Sequence, residues 1–105
     1  MNEKTVTVRM NGSLFDAVID GVATDVERMT GENLHRRSEV WTWTKRGRGH
    51  VATAKVSETA GRYIAAYLRS RVGLHVAFDD GGKAAFRRSE EVGVQVARDI
   101  ENQTA

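Results

Sequence analysis

An α+β fold is what three features of this 105-residue chain predict. Residues 5–10, 40–56 and 74–88 alternate apolar and polar side chains, the period of half-buried strands. Residues 14–29 and 60–72 carry their apolar side chains at helical spacing instead. Glycine-rich turn signals at 47–49 and 79–82 cut the second and third alternating stretches into hairpins. The expected order is β-α-β-β-α-β-β-α, an antiparallel sheet of about five strands with helices packed on one face. There is no proline, no evident repeat and no linker-like stretch, so residues 1–105 are expected to form a single domain.

Each element has its own local reason. In the first strand Val6, Val8 and Met10 point inward and Thr5, Thr7 and Arg9 outward. Asn11-Gly12 turns the chain, and Ser13 is expected to cap a helix whose stripe is Leu14, Phe15, Val18, Ile19, Val22, Val26 and Met29. Gly31 supplies its left-handed stop. Residues 32–37 read as a polar loop. The first hairpin has one sensible register, Lys45 against His50. That places Trp41 and Trp43 on one face with Ala52, Ala54 and Val56, and a slip by one residue would split them. Both indoles are therefore expected inside, with an even-length loop centred on Gly47 and Arg48.

Ser57 is expected to cap a second helix, with Glu58 in its first turn and Ala60, Tyr63, Ile64, Tyr67, Leu68 and Val72 as its stripe. Gly73 ends it. A second hairpin then gathers Leu74, Val76, Phe78, Ala84 and Phe86 on one side of a loop at residues 80–82. Ser89 caps a last helix carrying Val92, Val96 and Ile100, although Gly93 and the alternation Val92, Val94, Val96 also fit a strand. The tail from Asn102 is expected to fray.

Composition excludes several classes of function. There is no cysteine, hence no disulfide framework and no thiol chemistry. No apolar run is long enough to span a membrane, and residues 1–9 do not read as a signal peptide, so a cytoplasmic protein is expected. His35, His50 and His75 are scattered without a second ligand at metal spacing. No nucleophile elbow, phosphate loop or dinucleotide fingerprint occurs. The expectation is a protein without cofactor, metal or catalytic residues.

Net charge is only +2, but it is segregated. Residues 1–34 sum to −3, residues 35–55 to +5, residues 56–88 to +3 and residues 89–105 to −3. The sharpest cluster is Lys45-Arg46-Gly47-Arg48-Gly49-His50 at the first hairpin tip, with Arg36 and Arg37 upstream. The face opposite the core would add Thr5, Thr7, Arg9, Thr42, Thr44, Thr53 and Lys55, and from the second hairpin His75, Lys83 and Arg87. Cations among hydroxyls suit a phosphate backbone, which supplies most non-specific nucleic-acid affinity. Asp16 and Asp20, four apart on a helix, read as a solvated acidic face.

The stretch of residues 5–10 followed by a helix, and then Arg37-Ser38-Glu39-Val40, resembles the ribbon-helix-helix DNA-binding proteins over about 40 residues. The resemblance implies a dimer in which Thr5, Thr7 and Arg9 read bases, Ser38 sits at a phosphate and a second helix opens there. In this chain the segment before Ser38 is longer than the family's, Trp41-Thr42-Trp43-Thr44 favours a strand, and Gly47 and Gly49 interrupt the helix.

Two partner classes follow. The first is nucleic acid, bound by a small non-enzymatic protein, with regulation as one role for it, through Arg9, Arg36, Arg37, Lys45, Arg46, Arg48, His50 and Lys55. The second is an acidic protein, docked on the same cations by an inhibitor or adaptor of the kind found in phages and mobile elements. Pairing of edge strands into a homo-oligomer is a third expectation.

Overall fold

The structure is a computed structural model that describes residues 4–47, 49–80 and 83–104, with side chains for all of these except 71–80 and 83–91. The described elements are β1 (Thr5–Asn11), α1 (Gly12–Thr30), β2 (Thr42–Arg46), β3 (Gly49–Ser57), α2 (Glu58–Asp80) and α3 (Lys83–Thr104). The α+β class holds. The sheet has three antiparallel strands in the order β1-β3-β2 among the described residues, not the expected five. The second hairpin is not formed, because its two arms are the C-terminal part of α2 and the N-terminal part of α3. Alternation over five residues is too short to exclude a helix, and a Gly-Gly turn can reverse a helix pair as readily as a strand pair. Gly73 does not stop α2, since one interior glycine costs a helix only about 1 kcal/mol.

Asn11 does the capping expected of Ser13. Its side chain accepts from the Leu14 amide at 2.7 Å, so β1 runs into α1 with no intervening turn. The inward stripe of α1 is buried as expected from Leu14 to Val26, whereas Met29 is 51% exposed. Gly31 ends the helix at φ 79°, its amide returning to the Glu27 carbonyl at 2.9 Å. The loop expected over 32–37 extends to residue 41, so β2 begins at Thr42 and not at Val40; Leu34 of the loop enters the core and its carbonyl accepts from the Trp41 indole at 2.9 Å.

Ser57 caps α2 by accepting from the Ala60 amide at 3.1 Å. Glu32 holds that cap in place: it accepts from the Ser57 amide at 3.0 Å and from the Ser57 hydroxyl. Burial alone would raise the Glu32 carboxyl, but these bonds and one involving Thr30 outweigh it and hold it below its ordinary range.

The buried residues form one cluster between the sheet and the three helices. Val6, Val8 and Met10 of β1 and Ala52, Ala54 and Val56 of β3 supply the sheet side; Phe15, Ile19, Ile64, Leu68, Ala97 and Ile100 supply the helical side. Residues 92–104 belong to a helix and not a strand, with Val96 and Ile100 inward. The tail does not fray. The Gln103 amide group accepts from the Thr7 amide at 2.7 Å and donates to the Thr7 carbonyl at 2.9 Å. A side-chain amide thus stands where a fourth strand's backbone would, occupying the outer edge of β1 at Thr7.

Candidate nucleic-acid interface

The register decides which side chains share the outer face. Thr42 pairs with Thr53 and Thr53 with Arg9; Thr44 pairs with Val51 and Val51 with Asn11; Lys55 pairs with Thr7 and Arg46 with Gly49. Lys45 pairs with His50 and Trp43 with Ala52, as the hairpin parity required. A two-residue loop remains, beginning at Gly47 with φ 61°, the left-handed geometry favoured by tight hairpins.

No helix covers the outer face. Thr5, Thr7, Arg9, Thr42, Thr44, Arg46 and Lys55 are exposed, and Val51 and Thr53 are partly so. The three strands hold four Lys/Arg (Arg9, Lys45, Arg46 and Lys55) and no Asp or Glu. A shallow hollow of about 360 Å³ lies on this face, lined by Thr7, Arg9, Thr44, Lys45, Arg46, Val51 and Thr53. Among the described residues none of these four cations forms an ion pair. Their charge is left to solvent or to a partner.

The remaining expected site residues are dispersed. Arg36 is held by two α1 carboxylates, Asp16 at 3.2 Å and Asp20 at 3.5 Å, on the helical side of the molecule. The acidic face of α1 thus neutralises part of the basic middle. Arg37 stays in the loop and forms no ion pair among the described residues. His50 lines a separate hollow of about 530 Å³ with Asn11, Gly12, Ser13, Asp16, Trp43 and Gly49. Serine, histidine and aspartate meet there, but no hydrogen bond joins them among the described residues. Arg48 lies outside the described residues, and His75, Lys83 and Arg87 belong to α2 and α3 rather than to the sheet.

The two tryptophans part company. Both indoles meet Phe15 edge-on, at 4.9 Å for Trp41 and 4.8 Å for Trp43. Trp41 is 6% exposed, as expected, but Trp43 is 44% exposed. Trp43 lies on the helix-facing side of an edge strand, past the area the helices cover. By the register it shares the side of Ala52 and not the cationic face, so among the described residues that face has no aromatic platform for stacking bases.

The second helix that a ribbon-helix-helix arrangement would need after Ser38 is absent, since β2 and β3 occupy that stretch. β1 is paired within the chain, to β3. No family model matches the chain, and neither a curated protein nor a solved structure gives a significant match. Among the described residues no group of three or more His, Asp or Glu is placed to hold a metal ion, and no helix is long and apolar enough to cross a membrane.

Proposed function

We propose that this chain is a non-enzymatic nucleic-acid-binding protein that lays the open face of its sheet along a phosphate backbone. The observation that carries this reading is the set Arg9, Arg46 and Lys55, aligned on one uncovered face with no carboxylate in the strands beneath them. Threonine hydroxyls between the cations supply short donors to phosphate oxygens. Among the described residues this face carries no exposed aromatic ring, which favours backbone contact over base stacking, hence weak dependence on sequence.

Titration of a fluorescent duplex at several salt concentrations tests the reading. With three phosphates neutralised, log K against log salt should fall with a slope of about −3. Arg9→Glu combined with Arg46→Glu should abolish binding while leaving stability within about 0.5 kcal/mol, because both side chains are exposed. Binding that is absent, or indifferent to salt, rejects the proposal. Recovery of a single acidic protein after nuclease treatment would assign the same face to the second partner class.

A further inference from the structure

The sheet has two outer edges, and among the described residues only that of β1 is occupied, at Thr7. Thr7 spends its amide and carbonyl on Gln103, so Val6, Val8 and Met10 direct theirs at β3. Their partners Ala52, Ala54 and Val56 therefore face β1, and Val51 and Thr53 face β2. It follows that Thr42, Thr44 and Arg46 bond inward, and that Trp43 and Lys45 present their amides and carbonyls at the free edge. Among the described residues nothing bonds to those four groups.

The geometry points to a second copy of this chain as the occupant of that edge, paired antiparallel about a two-fold axis at Thr44. Trp43 would face Lys45 of the other copy in a hydrogen-bonded pair, twice, giving four new backbone bonds. Each ammonium would land on the half-bare indole, beside a hollow that Asp16, already paired with Arg36, also lines. Arg46 would face Thr42 and Thr44 would face itself, so no like charges oppose. Centring the axis on Lys45 would set two ammonium groups against each other. Because Gln103 occupies the β1 edge at Thr7, in the middle of the strand, that edge is blocked to a further copy and association stops at two. The product is a continuous six-stranded sheet whose cationic face is doubled.

A chain without cysteine allows a register-specific test. Across the axis two copies of residue 44 would have Cβ atoms about 4.5–5.5 Å apart, close to disulfide geometry. Two copies of residue 42, or of residue 46, would lie about 14 Å apart. In nucleic-acid-free protein under mild oxidation, Thr44→Cys should form a covalent dimer about tenfold faster than Thr42→Cys or Arg46→Cys. Comparable rates, a faster flanking variant or no bridge at all would overturn the proposal. Lys45→Pro removes an outward amide without touching the ladder and should sediment as a folded monomer where the parent is a dimer. A parent chain that stays monomeric at about 100 µM would likewise overturn it, as it would if the edge serves a foreign peptide. Failure here leaves the nucleic-acid reading standing, since no nucleic acid enters the experiment.

Discussion

β1 and β2 are both edge strands of one sheet, and they are treated in opposite ways. β1 alternates exposed and buried at every residue, lies against α2 and α3 and has its outer edge occupied at Thr7 by Gln103. β2 is exposed at all five residues, and β3 alone among the elements runs beside its backbone. The two sequences have the same period, so alternation alone does not produce burial. What differs is the layer above: α3 returns to β1, while over β2 only the Phe15 ring reaches out to the indoles. The packed edge joins the core, and the bare one is left to solvent.

The largest test of this contrast uses tryptophans two residues apart. Trp41→Ala removes a buried ring and an indole bond to Leu34, and should cost about 3–5 kcal/mol in urea denaturation. Trp43→Ala removes a ring that already shows nearly half its surface to water, and should cost only about 1 kcal/mol. Equal costs would mean that β2 is as firmly covered as β1.

Next comes the closest approach on the packed side. At Gly61 of α2 an added Cβ would meet the Val6 Cγ2 at 2.3 Å and the Ile100 Cγ2 at 3.4 Å. Val6 is β-branched and fully buried, so it cannot swing away. Gly61→Ala should destabilise by about 1–3 kcal/mol although alanine favours helices. A neutral or stabilising outcome would show that β1 and α2 are looser than they stand.

Signals confined to a few neighbouring residues were readable in the sequence. Val6, Val8 and Met10 alternate inward, Gly31 stops a helix, Ser57 caps one, and the hairpin parity fixed Lys45 opposite His50. Of the expected site, Arg9, Arg46 and Lys55 share the outer face by that parity, whereas Lys45 falls on the side of Trp43. Residues 74–88 were misread because short alternation around a glycine pair does not distinguish a strand reversal from a helix reversal. Arg36 was misplaced because its partners, Asp16 and Asp20, lie 20 and 16 residues away on another element. Trp43 was expected inside because parity gives the side of a sheet but not how far the covering layer extends. Gln103 reaches Thr7 across 96 residues and left no local trace.

A smaller effect concerns the joint from which α2 departs. The Glu32 carboxyl is held below its ordinary value of 4.5, so the folded state binds its proton less readily than the unfolded chain. Its contribution is complete above that value and is lost as pH falls through the lower, folded one. Glu101, depressed chiefly by the Arg69 guanidinium at 2.6 and 2.9 Å, acts in the same direction. Glu32→Gln should cost about 1 kcal/mol at neutral pH through weakened bonds to Ser57, and less below pH 4.5. A penalty that is constant from neutral to acid pH would show that the charge on Glu32 plays no part in holding the cap.

The smallest change in stability should have the largest consequence for assembly. Gln103→Ala frees the Thr7 amide and carbonyl, but at an exposed edge water replaces the lost bonds, so the cost should be about 0.5–1 kcal/mol. It also gives β1 the property that distinguishes β2, an unpaired row of donors and acceptors. If the two edges differ only in that seal, the variant should form species larger than a dimer in sedimentation at concentrations where the parent does not. If Gln103→Ala stays no larger than the parent, the packing of α3 against β1 protects that edge without help from the amide, and the asymmetry of the sheet rests on the helix alone.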